Sequence, residues 1–344
     1  MGITAKGKKN AGLLTEGSIA KGILSFAIPL FLGQLLQQFY NVADAWVVGN
    51  FADNDSFAAV SSAGNLTFLI IGFFNGIAIG GGVVISKYFG ARDEKSVEVA
   101  IHTNFLFGLI ASALSTIVGL ILIPVLLRLM QTPENVLPAS LLYLRVYFAG
   151  VSTIIMYNIG MSIMRALGDS LHPLYYLFNV VLDLLFVAVF HWGVGGAAAA
   201  TIIAQGVSAV MCIYRMCKME GVARLDFKKL HYNGSMMHEV ITQGLPTGIQ
   251  NSVISIGNIV IQKNINSFGS FAMAGVGAYS KLEGFAFLPI TCMSMALPTF
   301  ISQNLGAKEY NRAKKGAVFG IITGVAVAEL IGIGFYIGIE PLLR

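Results

Sequence analysis

Charge is scarce in this sequence. Only 11% of its 344 residues are charged, with 22 lysines and arginines against 17 aspartates and glutamates, whereas soluble domains carry about 25%. So few charged residues cannot coat a soluble particle of this size, which excludes a soluble enzyme. Hydrophobic residues make up 56% of the chain and the mean hydropathy is +0.74, which excludes a disordered protein.

Cysteine is also rare. Cys212, Cys217 and Cys292 are scattered in or beside apolar stretches, so we expect neither a disulfide framework nor a metal site built on them. Phosphate-binding loops are absent as well. The glycine run 80–82 is not followed by Lys-Ser or Lys-Thr and lies inside an apolar stretch, so close helix packing is its expected use.

Long apolar runs, by contrast, fill most of the chain. Nine of them are long enough to cross a hydrocarbon core of about 30 Å, and they lie near 22–48, 58–86, 98–127, 140–163, 173–192, 195–217, 239–266, 272–302 and 313–338. Each is expected to be helical, because backbone exposed to lipid must form its hydrogen bonds within its own segment. The sequence therefore predicts an all-α polytopic membrane protein.

Basic residues collect at alternate connections between these spans. With the N-terminus in the cytoplasm, most of the 22 lysines and arginines fall on the inner side, as the positive-inside rule requires. This predicts a multi-pass protein of the cell (plasma) membrane with a cytoplasmic N-terminus. The net charge of +5 then reflects topology, so we expect the lipid bilayer as a partner and no nucleic acid.

The chain also repeats itself. Pro29 and Pro246 are 217 residues apart, and Gly90 and Gly306 are 216 apart. Six spans separate the copies, so both enter the membrane in the same direction, which is a parallel repeat of the kind found in some secondary transporters. The predicted division is an N-lobe at 1–218, a cytoplasmic linker at 219–238 that can form an amphipathic helix, and a partial C-lobe at 239–344. The second copy is expected to end after its third span.

Carboxylates inside the spans are hypotheses of function, because burying a charge in a membrane costs at least about 2.5–3.5 kcal/mol. Asp44 ends a polar face on the first span, where its partners follow at helical spacing, and Asp183 lies one turn from Asn179 on the fifth span. Both acids are about 13 Å below the outer surface at 1.5 Å per residue, and Thr201 on the sixth span reaches a similar depth.

Four residues can therefore converge on one oxygen-rich cavity: Asp44, Asn179, Asp183 and Thr201. Two carboxylates that share such a cavity repel each other, so the site can take up a proton or hold a hard cation such as Na⁺. The alternative is that these groups only hydrogen-bond helices together. A substrate cavity is expected to be lined by further polar residues of the spans: Gln37, Tyr40, Asn41, Asn158, Asn251, Ser255, Asn258 and Glu283.

Several motifs, in order, resemble one family. Pro29, Asp44 and Gly49, then Gly90 with Ala91 on a basic loop, then residues 165–169 (Arg-Ala-Leu-Gly-Asp) and 303–307 (Gln-Asn-Leu-Gly-Ala), are similar to multidrug and toxic compound extrusion (MATE) transporters of bacterial type. The resemblance implies two six-helix lobes around a central cavity, with about nine of the twelve helices in this C-terminally truncated chain.

The resemblance also implies a mechanism. Alternating access would be driven by Na⁺ or H⁺, with the N-lobe cation site at Asp44, Asn179, Asp183 and Thr201, and with Gln37 and Tyr40 at cavity-lining positions. Ile261 stands opposite Asp44 in the second repeat, so a C-lobe site cannot mirror the first. The expected function is a secondary antiporter that exports amphipathic or cationic organic compounds.

We accordingly expect no enzymatic activity, no cofactor besides the coupling ion, no metal beyond Na⁺ at the cation site, small amphipathic molecules as substrates, and a monomer. Two alternatives stay open. A lipid-linked saccharide flippase of related fold would be expected to carry basic residues in its cavity. An intramembrane aspartyl protease would use Asp44 and Asp183, but Asp183 lacks the Gly-x-Gly-Asp context that such proteases share.

Overall fold

The computed structural model of the chain describes residues 13–51, 54–129, 137–169, 193–268 and 283–342. Regular structure within these ranges is helical throughout, which confirms the all-α prediction. The helices are α1 Ile19–Phe51, α2 Asn54–Gly90, α3 Glu94–Leu129, α4 Leu137–Ala149, α5 Val151–Ala166, α6 Gly193–Lys218, α7 Gly234–Ser267, α8 Leu288–Gly306 and α9 Tyr310–Leu342. The predicted fifth span, 173–192, lies outside the described residues.

Five of these helical segments are long and apolar enough to cross a membrane: Ile19–Phe39, Ile70–Gly90, Glu94–Val125, Glu283–Gly306 and Tyr310–Gly334. The pair α4 and α5 makes a sixth when it is counted as one bent span. Helices α6 and α7, with 26 and 34 residues, also exceed the length of about 20 residues that a crossing needs.

The predicted fourth span is bent, and the bend has a local cause. Helices α4 and α5 meet at an angle of 47° at Gly150, which separates them. A side chain on Gly150 would overlap Ile202 of α6, so glycine lets the bend lie directly against α6. The hydroxyl of Thr153 donates a hydrogen bond of 2.8 Å to the Gly150 carbonyl and satisfies a carbonyl at the break.

Helix α3 has one exposed apolar face and one face buried in the core. On one face Leu114, Ile117 and Ile121 are 54%, 57% and 67% exposed, and in a membrane such a face contacts lipid. On the other face Ile101 and Phe105 are buried in a core built with α2, α5 and α6. The apolar exterior is thus the lipid-facing side of a helical bundle, as the low charge content predicts.

The sequence repeat is also a structural repeat. Helix α2 ends at Gly90 and α8 at Gly306, while α3 begins at Glu94 and α9 at Tyr310. Among the described residues, only Arg92 (φ 56°) and Lys308 (φ 63°) are non-glycine residues with positive φ, and they are 216 positions apart. Each residue follows a helix C-terminus, where a left-handed residue caps the last carbonyls, so the same turn occurs twice.

The predicted linker 219–238 does not form an amphipathic helix over its length: residues 219–233 are not α-helical, and 234–238 are the first residues of α7. It contains two short 3₁₀ turns, Gly221–Ala223 and Phe227–Lys229, which are closed by local backbone bonds, and between them its backbone also bonds to neighbouring helices. The amide of Leu225 donates to the Met216 carbonyl (3.1 Å), and that of Asp226 to Nε2 of the buried His102 (3.1 Å). The segment is anchored on α3 and α6.

Most of the basic residues lie where the helices meet at one end of the bundle. We call this the basic end; α2, α5, α6 and α8 end there, while α3, α7 and α9 begin there. Its basic residues are Lys87, Arg92, Lys95, Arg165, Arg215, Lys218, Arg224, Lys228, Lys229, Lys308, Arg312, Lys314 and Lys315. The charge bias predicts that this end faces the cytoplasm.

Candidate functional site

The structure describes only part of the predicted cation site. Thr201 lies half-buried on α6. Asp44 belongs to α1, of which the helical backbone is described at this position, whereas Asn179 and Asp183 lie outside the described residues. Convergence of these four residues on one cavity therefore stays a prediction.

The polar face of α1 lies beside the second half of the chain. Gln37 is half-buried, and for Tyr40 and Asn41 the backbone alone is described. The rings of Phe39 and Phe285 meet edge to face with their centroids 5.4 Å apart. Glu283, half-buried, is two residues before this contact, so the two predicted cavity elements lie against each other.

Two of the predicted cavity residues on α7 form hydrogen bonds with backbone carbonyls. The Asn251 side-chain amide donates to the Gly72 carbonyl of α2 (2.9 Å), and the Ser255 hydroxyl donates to the Asn251 carbonyl (2.7 Å). Asn258 is exposed, and Asn158 on α5 donates to the Ile154 carbonyl of its own helix (3.0 Å). The bond from Asn251 joins the two halves, as polar groups do between membrane helices.

Helices α2 and α7 touch backbone to backbone along one seam. Gly76 and Gly80 of α2 face Gly248 and Gly244 of α7. A Cβ on Gly244 would lie 2.6 Å from the Cα of Ile77, which leaves no room for a side chain. Glycine at every fourth position permits this approach of membrane helices. The spacing was visible on both spans, but the sequence does not say that they pair.

The glycine run 80–82 has the packing role that its sequence predicted. A side chain on Gly80 would overlap the backbone of Gly244 on α7, one on Gly81 the side chain of Asn104 on α3, and one on Gly82 the hydroxyl of Ser162 on α5. Three successive glycines thus face three different helices. The run confirms close helix packing in place of a phosphate-binding role.

A second seam, between α1 and α8, is equivalent to the first by the repeat. Phe26, Ala27 and Leu30 of α1 pack there with Ala296 of α8. Ala27 corresponds to Gly244 and Ala296 to Gly80, so methyl groups replace bare backbone at the repeat-equivalent positions. The glycine-lined contact is therefore specific to the α2–α7 seam.

The two halves meet again at the basic end. A side chain on Gly90 would overlap the Gln303 carbonyl, and one on Gly306 the Lys87 carbonyl. Lys87 and Gln303 are equivalent by the repeat, so the contact is reciprocal, as a two-fold axis demands. The Gln303 side-chain amide also donates to the Ala166 carbonyl at the end of α5 (3.1 Å).

The segment that precedes α1 crosses this junction. The Arg312 guanidinium donates to the carbonyls of Gly17 (2.6 Å) and Glu16 (2.9 Å). Asn304 donates to the Leu14 carbonyl (3.3 Å), while the Leu14 amide donates to the side chain of Gln303 (2.8 Å). These bonds tie the segment to α8 and α9, on the second half of the chain.

Between this junction and the membrane interior lies a small cavity of about 30 Å³, formed by α2, α5 and α8, with room for about two water molecules. Gly82, Ser162 and Arg165 line it from the first half, and Pro298 and Thr299 from the second. Arg165 places a positive charge on the wall of this cavity. The closed junction therefore has a small pocket directly behind it, with a mostly apolar lining and one positive charge.

The sequence is similar to a known family of membrane proteins. A family model described as MatE matches residues 29–190 and 246–344. The probable multidrug resistance proteins YpnP and YoeA of Bacillus subtilis (strain 168) are 29% identical over 300 residues and 27% identical over 341. The alignments cover 85% and 96% of this chain, which spans 66% and 74% of those relatives.

A solved structure supports the same fold. The outward-facing conformation of a multidrug resistance MATE family transporter of the MOP superfamily superposes with a TM-score of 0.86 at 24% identity. The match covers 96% of this chain and 74% of that structure. The family model matches well over half of the sequence, and the fold is helical with a parallel repeat. The chain therefore belongs to the MATE family of transporters.

Proposed function

We propose that this protein exports amphipathic or cationic organic compounds from the cell in exchange for H⁺ or Na⁺. The observation that carries the proposal is the family match over residues 29–190 and 246–344, together with relatives named as probable multidrug resistance proteins. The absence of a nucleotide-binding motif from the printed sequence supports an ion gradient as the energy source.

The proposed mechanism is alternating access between two lobes, residues 1–218 and 239 onwards, that are joined by the linker 219–238. The ion would bind at Asp44, Asn179, Asp183 and Thr201. The compound would bind in the cavity between the lobes. A ligand shifts a conformational equilibrium only through its different affinity for the two states, so ion and compound must favour opposite-facing states.

A transport assay tests this function. The purified protein is reconstituted into liposomes that contain a fluorescent organic cation, and a pH gradient and a Na⁺ gradient are imposed separately. We expect one of the two gradients to drive efflux, and collapse of that gradient by an ionophore to stop it. Efflux that ignores both gradients would contradict ion coupling.

One observation favours a second candidate, the lipid-linked saccharide flippase. Such a protein needs a basic group for a pyrophosphate, and Arg165 places one between the halves, at the small pocket formed by α2, α5 and α8, which itself has room only for water. The same liposomes can be loaded with a fluorescent lipid-linked saccharide. Translocation of this lipid, with no efflux of the organic cation, would replace the antiporter proposal by the flippase.

We also expect the basic end to face the cytoplasm, since its basic residues follow the positive-inside rule. Tyr232 lies there and is 68% exposed, so Tyr232→Cys places a reporter on that side. A membrane-impermeant maleimide should label it in inside-out vesicles and not in intact cells. Equal labelling in intact cells would reverse the predicted topology. Cys212 and Cys292 are buried, and Cys217→Ser removes the half-buried native thiol.

A further inference from the structure

One carboxylate at the basic end joins the two halves of the chain. Glu239, in the second turn of α7, accepts hydrogen bonds from Nζ of Lys87 (2.7 Å) and from the hydroxyl of Tyr88 (2.7 Å), both in the last turn of α2. The Lys87 ammonium also lies 5.2 Å from the centre of the Tyr88 ring. Two donors on one half therefore hold one acceptor on the other, and both bonds involve a charge, which strengthens them.

The repeat shows that this contact is an addition to the fold. The residues equivalent to Lys87 and Tyr88 are Gln303 and Asn304, and the residue equivalent to Glu239 is Gly22. The equivalent residues are thus two neutral amides and a glycine, which cannot form an ion pair. The ion pair occurs on one side of the pseudo-two-fold axis, so neither the turn nor the helix crossing requires it.

The contact lies at the basic end, in front of the small cavity formed by α2, α5 and α8. Gly82, which lines the cavity, is five residues before Lys87 on α2, or about 7.5 Å along the helix axis. Thr299 lines the cavity from α8 and lies about one turn before Gln303, which closes the junction. Any state that opens the cavity toward the basic end must separate these helix ends and break the bonds to Glu239.

The contact is weak enough to break when the protein changes state. The side chains of Lys87 and Glu239 are 50% and 25% exposed, and exposed ion pairs stabilise a structure only modestly. Such a pair biases an equilibrium between two states without holding one of them permanently. A buried pair would leave uncompensated charges when it opened.

We propose that Glu239, held by Lys87 and Tyr88, is a latch that keeps the transporter closed at its basic end. The inference rests on the proposed function only in that it assumes two alternating states. Glu239 acts as a positioning residue: through its bonds to Lys87 and Tyr88 it sets how often the small cavity opens toward the cytoplasm. A latch of this kind favours the state that is closed at the basic end until a ligand that prefers the other state binds.

Accessibility of the cavity tests the latch. Thr299, 7% exposed, is replaced by cysteine in a background without native cysteines, and the full-length protein is labelled in inside-out vesicles by an impermeant maleimide. We expect Glu239→Gln to raise the labelling rate about two- to fivefold, the range of a partly exposed ion pair. Tyr88→Phe should give a smaller rise. The charge swap Lys87→Glu with Glu239→Lys should return the rate toward that of the parent.

The chain provides a matched control. Glu98 on α3 pairs with Lys229 of the linker, and its side chain is 30% exposed, close to that of Glu239. This pair does not connect α2 with α7, so Glu98→Gln should leave the labelling rate unchanged. Size-exclusion profiles of all variants show that each one is folded.

Two results would overturn the latch: an unchanged rate in both Glu239→Gln and Tyr88→Phe, or an equal rise in Glu98→Gln. The readout is independent of transport. A protein that exports no tested compound but shows the rise and its rescue by the charge swap would refute the proposed function and keep the latch. A protein that exports the compound but shows neither the rise nor its rescue would refute the latch and keep the proposed function.

Discussion

Asp183→Asn is expected to abolish gradient-driven efflux while the protein still folds and inserts into the membrane. Asparagine keeps the volume and much of the hydrogen bonding of aspartate, but it can neither bind a proton nor supply negative charge to a cation. A neutral residue is also easier to bury than a charged one, so insertion should not suffer. Efflux from liposomes under the driving gradient should fall to the level of liposomes without protein.

Asp44→Asn is expected to have the same effect, because the proposal places both carboxylates in one ion site. Glu329→Gln is the matched control: Glu329 lies on α9, where its side chain is exposed, outside the proposed site. It should keep most of the efflux at equal expression. If Asp44→Asn and Asp183→Asn both retain gradient-driven export, the coupling site lies elsewhere.

Gly80→Ala is expected to cost about 1–3 kcal/mol of stability, the usual penalty of overfilling a packed interior. The added methyl group would overlap the backbone of Gly244, and backbone cannot move aside as a flexible side chain can. Gly244→Ala meets the same obstacle from the other side, since its Cβ would lie 2.6 Å from the Cα of Ile77. Thermal unfolding of the purified protein in detergent measures the loss for each variant.

In the control variant, Gly257→Ala, we expect no loss of stability. Gly257 lies on the same helix α7, and a Cβ there has no neighbour within 4 Å. Because alanine is a better helix former than glycine by about 1 kcal/mol, Gly257→Ala should be neutral or slightly stabilising. If Gly80→Ala and Gly257→Ala unfold at the same temperature, the α2–α7 seam is not the close contact that the structure shows.

Hydropathy predicted most of the helices because a membrane leaves the backbone few choices. A run of apolar residues must form a helix, whatever its neighbours are. Helix ends were also predictable at the repeat, where Gly90 and Gly306 precede the turns at Arg92 and Lys308. The bend at Gly150 was not predicted, since it depends on how closely α6 approaches, and nothing within the fourth span reports that distance.

The linker was the clearest miss in the fold. Its basic and apolar residues suggested an amphipathic helix, yet the chain is held by His102 and Met216 on two neighbouring helices. Composition indicates which secondary structure a segment would form by itself at a membrane surface. It does not include the donors and acceptors that other helices present to its backbone.

In the candidate site, too, the sequence predicted the residues but not their partners. The sequence predicted that Asn251 and Ser255 line the substrate cavity, and the structure adds that Asn251 bonds to α2 and Ser255 to its own helix. Glu239, Lys87 and Tyr88 each stand at a helix end, where charged and polar residues are ordinary, so nothing in the sequence distinguishes them. Only their meeting at 2.7 Å distinguishes them from other residues of the basic end.

The sequence by itself determined that this protein spans the membrane, that it is helical, and that its halves repeat, because each of these properties follows from local hydropathy and order along the chain. The tertiary structure decided which helices pair and which residues bridge the halves. Helical spacing defines a face but not its partner. Gly80 and Gly244 become a seam, and Lys87 and Glu239 an ion pair, only because the fold brings positions more than 150 residues apart into contact.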